Sequence, residues 1–118
     1  MITPLTFEEL RLANIARIPQ YKDKNGLHVH DKVDGSDWTP AQWLQAVVGE
    51  VGEYANLRKK HERGDISSYT FLKEARKELA DIIVYLDILA YQFDIDLGEA
   101  VRDKFNEVSD RVGSTIYL

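Results

Sequence analysis

The 118-residue chain predicts an all-α fold, a helical bundle built around an antiparallel helix hairpin and completed by oligomerisation. Three observations predict it. Three of four helical segments open on side-chain capping signals, no segment reads as a convincing strand, and the two longest helical patterns are separated only by a short turn around "GDI".

The first helix follows from Thr6 and Glu9, a capping box, and should end near Arg17 because a residue preceding proline, here Pro19, is pushed out of the α region. Residues 18–38, "IPQYKDKNGLHVHDKVDGSDW", carry a proline, glycines and many polar residues without a sustained period, so they read as a connection. A loop that long is usually functional or mobile. Thr39, Pro40 and Gln42 supply a cap, a proline at the first helical position and a reciprocal cap, which start a second helix running to about Arg63 and stopped by Gly64. A third helix starts between Ser67 and Thr70 and continues to about Phe93. Asp96 with Glu99 caps the last helix, Leu97 to Val112, with Gly113 as its stop. The closing "TIYL" is too short to assign.

With 44% hydrophobic and 30% charged residues, the chain has the makeup of one globular domain, residues 1–118 with a helical core at 38–112, and a thin interior. Association with another copy is a natural way to bury more surface. A net charge of −5 argues against a nucleic-acid polymer as partner, although not against a small anion escorted by metal ions. The absence of cysteine excludes disulfides and thiolate metal sites and suits a reducing cytoplasm. "MITPLTFEEL" is neither basic nor followed by an apolar run, so no signal peptide is expected. The longest apolar run, "IIVYLDILAYQF", is too short for a membrane span and contains Asp87.

Helical phase singles out two acidic pairs. At about 100° per residue, Trp43, Val47, Val51, Tyr54 and Ala55 share one side of the second helix, with Ala46, Glu50, Glu53 and Leu57 along its edge. On the third helix, Leu72, Ala75, Leu79, Ile82, Ile83, Leu86, Ala90 and Phe93 form the expected core face, and Glu78 and Asp81 project beside it. In an antiparallel hairpin, residues equally distant from the turn lie at one height. The midpoint between the two pairs falls at residues 65–66, inside "GDI", so the four carboxylates should converge on one level. Such a set asks for protons, basic partners or a cation. Oxygen-only ligands fit Mg²⁺ or Mn²⁺ better than zinc or copper, and no Glu-x-x-His pair exists for a di-iron site. Paired acids are also common on solvated helix faces, balanced by residues such as Lys59, Lys60, Arg76 and Lys77. Matching spacing and height favour the metal site.

"EVGE" at 50–53 followed by "ELAD" at 78–81 resembles the Glu-x-x-Glu and Glu-x-x-Asp pattern of the all-α nucleoside triphosphate pyrophosphohydrolases, and the chain looks like a MazG-like member of phage type over residues 38–112. The resemblance implies hydrolysis between the α and β phosphates, giving a nucleoside monophosphate and pyrophosphate. It also implies that Glu50, Glu53, Glu78 and Asp81 are Mg²⁺ ligands. One glutamate, assigned here to Glu53 with Glu50 beside it, would orient or deprotonate the attacking water. Lys104 and Arg111 match the family's late Lys and Arg and would hold phosphates, against the plainer reading of a solvated basic face. The family's intervening Asn is displaced, with Val108 at its place and Asn106 nearby. Trp38 and Trp43 flank the start of the second helix, where related enzymes build a base pocket, although the phase of Trp43 suits a core residue equally. His28 and His30 in the loop could contact substrate or be solvated, and His61 is assigned no role.

The third helix is apolar nearly all round between Ile82 and Phe93, since Val84, Tyr85, Ile88 and Tyr91 point away from the expected core face. A homodimer or homotetramer through this helix is therefore expected. The competing functional reading is a catalytically silent helical oligomerisation module whose acids bind a structural or regulatory metal.

Overall fold

The computed structural model describes residues 2–118. It contains α1 (Phe7–Arg17), α2 (Pro40–Glu62), α3 (Ser68–Gln92) and α4 (Leu97–Val112), with a short 3₁₀ turn at Ile18–Gln20 and, among the described residues, no strand. The fold is all-α, and each helix begins where capping chemistry starts it. Thr6 accepts from the Glu9 amide, Asp96 from that of Glu99, and Thr39 and Gln42 form a complete capping box with Pro40 in the first turn. The start of α3, open in the sequence, falls at Ser67, whose hydroxyl accepts from the Thr70 amide. Gly113 ends α4 at φ 72°, the left-handed conformation that glycine adopts without steric cost.

α2 and α3 form the antiparallel hairpin. A stripe of Trp43, Ala46, Val47, Glu50, Tyr54 and Leu57, buried or half-buried, runs along the side of α2 that faces α3. Near the turn His61 stacks on Phe71 at 4.5 Å and meets the Ser68 hydroxyl at 3.1 Å, so the histidine given no role clasps the hairpin's closed end. At the open end, Ile18, Trp43 and Ile88 form the buried centre, with Trp38, Val84, Tyr85, Leu89 and Tyr91 packed around them.

The third helix corrects the expected core face. Leu72, Leu79, Ile83, Leu86 and Phe93 are exposed, whereas Val84, Tyr85, Ile88 and Tyr91, which the sequence pointed elsewhere, make the internal packing. α3 has three working directions: one toward α2, one toward α1, and a free apolar stripe. Periodicity reveals two apolar faces but carries no mark of which one the same chain covers. On α2, Leu44, Val48 and Val51 are likewise exposed. By helical phase they lie on the same side of the hairpin as the free stripe of α3, opposite the side of Glu53 and Asp81.

α1 is fastened to α3 by a buried polar cluster. Asp87, 1% exposed, accepts from Arg11 Nε at 3.2 Å and from the Asn14 amide at 2.9 Å, and Arg11 also donates to the Ile95 carbonyl at 2.6 Å. α4 rests mainly against α1, with Phe7 beside Gly98. The radius of gyration is 17.2 Å, against about 13.5 Å expected for a closed globule of this length. The accessible surface is 8774 Å², roughly 2,200 Å² more than a monomer of this mass usually exposes. No described helix is long and apolar enough to cross a membrane.

Replacing Asp87 with Ala would leave Arg11 and Asn14 without their buried acceptor. The expected loss of stability is about 3 kcal/mol, measured as a lowered urea midpoint. An unchanged midpoint would show that the cluster does not fasten α1.

Candidate active site

The acids are placed by the hairpin. Glu50 stands seven residues after Trp43 and so falls on the side of α2 that faces α3, while Glu78 and Asp81 rise from α3 at the same height. One carboxylate oxygen from each of Glu50, Glu78 and Asp81 lies within 4.8 Å of the others. Glu50 and Glu78 are half-buried, and their Oε2 atoms are enclosed without a hydrogen-bond donor. Two carboxylates side by side can bond to each other only by sharing a proton. The Glu50 pKa is accordingly pushed up to about 7, first by burial, then by the hydrogen bond with Glu78 and the charges of Glu53, Asp81 and Glu78.

That arrangement fits a hard cation. Octahedral Mg²⁺ with oxygens at about 2.1 Å holds neighbouring ligands roughly 3 Å apart and opposite ones roughly 4 Å apart, so small side-chain adjustments close the observed cluster around one ion. A cation would also complete the two orphaned oxygens, and the donor set contains no nitrogen or sulfur that would favour a softer metal.

Glu53 stands apart from the other three. It is exposed and lines a neighbouring groove with Asn56, Leu57, Lys60, Glu74 and Glu78, close enough for its charge to raise the Glu50 pKa.

On the other side of the acids lies an aromatic pocket of about 190 Å³ lined by Tyr21, Lys22, Val29, His30, Trp38, Trp43 and Tyr85. His30 stacks on Trp43 at 5.0 Å and lies 4.6 Å from Trp38, while Trp38 and Trp43 are 4.7 Å apart. Trp43 is both things the sequence allowed: a core residue, 1% exposed, and a pocket wall. Its indole N–H donates to the Gly35 carbonyl at 3.0 Å. Gly35 has φ +74°, and a Cβ there would approach the Trp43 ring to 2.8 Å, so the loop can pass this close only as glycine. His30 is buried, with Nδ1 3.3 Å from Asp37 Oδ1. The Tyr85 hydroxyl, one turn beyond Asp81, is pushed above its ordinary pKa by burial and then by Tyr21, Glu50 and Asp81, which places it between pocket and acids.

The remaining sequence candidates lie elsewhere. Lys104 pairs with Glu107 at 3.2 Å on the exposed face of α4, and Arg111 is exposed on the same helix. Asn106 is engaged by the chain's own tail: its amide donates to the Leu118 carbonyl at 3.2 Å and accepts from the Leu118 amide at 2.8 Å. α4 does not pack along the hairpin, so the chain by itself does not bring these three residues to the acids. Sequence reasoning passed over Tyr21 and Asn56, read Lys60 only as a partner balancing the acids, and read Tyr85 only as part of a second apolar face. Tyr85 had a signal, since it sits one helical turn from Asp81; Tyr21 had none, because its position depends on the fold of the loop.

The hairpin thus brings convergent acids beside an aromatic pocket. The chain is 34% identical to dCTP pyrophosphatase 1 of Bos taurus over 96 residues, which covers 75% of this chain and 56% of the bovine protein. It is 31% identical to dCTP pyrophosphatase 1 of Rattus norvegicus, with the same coverage. The chain thus spans a little over half the length of the curated relatives it matches. No protein-family model matches it, and no solved structure matches it significantly.

The raised Glu50 pKa gives a signed prediction for the metal-free protein. Between about pH 4.5 and 7 the folded state holds a proton that the unfolded chain has lost, so stability should fall as pH rises through that window. A divalent cation that binds the folded cluster and not the unfolded chain, such as Mg²⁺, should restore it at pH 7.5. Thermal melts across pH, with and without Mg²⁺, check this; a melting temperature that rises through the window without metal would contradict it.

Proposed function

We propose that this protein is a MazG-like, Mg²⁺-dependent nucleoside triphosphate pyrophosphohydrolase. It cleaves the α–β phosphoanhydride of an NTP or dNTP to give the nucleoside monophosphate and pyrophosphate. The observation that carries this reading is the convergence of Glu50, Glu78 and Asp81 with two buried, donorless oxygens. The similarity to proteins named dCTP pyrophosphatase 1 supports it.

Glu50, Glu78 and Asp81 would hold Mg²⁺, with Mn²⁺ as a substitute and Glu53 as a further ligand. The bound ion supplies positive charge that neutralises phosphate oxygens and acidifies water. The chain's own residues do the rest. Trp38, half-buried in the aromatic pocket with Trp43 and His30 packed against it, offers a flat face against which a base can stack, at the end of the hairpin remote from the turn. Glu53, exposed beside the cluster, accepts the proton of the attacking water at its carboxylate. The water oxygen bonds to phosphorus, the bond between that phosphorus and the bridging oxygen breaks, and pyrophosphate leaves. No covalent nucleophile is needed.

The enzyme acts as a homodimer, or as a dimer of dimers, joined through α3. The free side of the hairpin, made by Val48 and Val51 of α2 with Leu79, Ile83 and Leu86 of α3, is apolar and exposed. The surface excess of roughly 2,200 Å² is of the size that obligate homodimers bury. With that side covered, the acids face outward, and Lys104, Arg111 and Asn106 reach a site only from a helix of another copy.

Pyrophosphate release from a panel of NTPs and dNTPs with Mg²⁺ tests the activity. Glu53→Gln and Asp81→Asn should each lower kcat by at least about a hundredfold. Release from no substrate, or undiminished release by both variants, would leave the silent oligomerisation module as the reading. Ile83→Asp should convert the oligomer to monomer in sedimentation; wild type that is monomeric at micromolar concentration would remove the assembly.

A further inference from the structure

The hairpin carries three stations in a line. On α2 the order is Trp43, then Glu50, then Asn56 and Lys60, spaced by about 10 Å and then by about 9 to 15 Å at 1.5 Å per residue. On the antiparallel α3 the same line reads Tyr85, Asp81, Glu78, Glu74. The aromatic pocket lies at one end and the metal-binding acids in the middle. At the other end is a groove of about 300 Å³ lined by Glu53, Asn56, Leu57, Lys60, Glu74 and Glu78.

That groove shares Glu78 with the acid cluster, so a molecule leaving the acids away from the aromatic pocket enters it directly. It is otherwise acidic, yet it contains one ammonium and one amide. The neighbouring ion pairs are Arg58 with Glu62 and Lys77 with Glu74, which leave Lys60 uncommitted among the described residues. Asn56 and Lys60 follow Glu53 at i+3 and i+7, so all three line one side of the helix. The chain's other candidate phosphate contacts, Lys104 and Arg111, lie on α4, which does not pack along the hairpin. A nucleotide with its base among Trp38, Trp43 and His30 and its cleavable anhydride at the acids must send its outer phosphates toward Asn56 and Lys60.

We propose that Asn56 and Lys60 form a clamp for the β and γ phosphates, and hence for the pyrophosphate product. The clamp sets the direction in which substrate lies along the hairpin. This inference rests on the nucleotide reading above and adds two residues to it. The Lys60 ammonium binds as a mobile point charge and the Asn56 amide as a directed donor, so loss of Lys60 should weaken phosphate binding more than loss of Asn56.

Calorimetric titration of the Mn²⁺-loaded protein with inorganic pyrophosphate, and separately with a nucleoside monophosphate, tests the clamp without turnover. Lys60→Ala should weaken pyrophosphate by about tenfold or more, the worth of one hydrogen bond from a charged group. It should leave Mn²⁺ and monophosphate affinities within about twofold, since those ligands use the other two stations. Lys60→Arg should recover most of the loss. Unchanged pyrophosphate affinity in Lys60→Ala, or equal weakening of pyrophosphate and monophosphate, would overturn the clamp. Absence of nucleotide turnover by the wild type belongs to a different assay and counts against the proposed function, not against the clamp.

Discussion

The rest of the structure turns on a carboxylate held where water cannot fully reach it. Glu50 occupies a position on α2 that the packing against α3 requires, and it meets Glu78 and Asp81 there instead of an apolar partner. Two of the oxygens have no donor, and the Glu50 pKa rises to about 7 in consequence. An apolar residue at this position would pack better and cost nothing in hydration. The arrangement therefore gives up folding stability to keep unbalanced charge at this site. The hydrophobic centre at Ile18, Trp43 and Ile88 and the stacked clasp of His61 on Phe71 hold the hairpin closed on either side of that acidic middle.

The hairpin divides its surroundings by chemistry. One side carries the acids, with the aromatic pocket above them and the groove of Asn56 and Lys60 below. The opposite side carries an aliphatic stripe of Val48, Val51, Leu79, Ile83 and Leu86, exposed in the single chain. An extended chain with an excess of accessible surface follows from this division, because no described helix of the chain covers that second side. α1 and the loop after it complete the pocket from outside, and Asp87 with Arg11 and Asn14 fastens them there. The buried polar cluster at Asp87 thus serves the pocket indirectly, by fixing the helix that leads into Ile18 and Tyr21.

Much of this was legible in the residues. Capping pairs at Thr6, Thr39 and Asp96 placed helix starts to within a residue, because a cap is a local device that needs no tertiary context. Counting from "GDI" brought Glu50, Glu78 and Asp81 to one height, because rise per residue in an α-helix hardly varies. The failures share a cause too. Phase showed that α3 has two apolar faces but assigned Leu72, Leu79, Ile83 and Leu86 to the chain's own core, where the structure exposes them. Which face is covered depends on where α1 docks, and that is set by Asp87, a residue read only as an obstacle to a membrane span. Asn106, offered for substrate by the family resemblance, has its amide on the Leu118 backbone within the chain, an interaction between distant residues that no spacing announces. The loop histidine His30 and Tyr21 join the pocket through an irregular path closed by Gly35, which periodicity cannot trace.

If the acidic cluster exists to hold a divalent cation, crystals grown with Mn²⁺ should reveal the ion by its anomalous scattering. The expected result is an anomalous peak between Glu50, Glu78 and Asp81, with carboxylate oxygens at about 2.1 to 2.2 Å. A map with no peak at the cluster, and with the three carboxylates turned toward solvent or toward lysine and arginine side chains, would contradict that role.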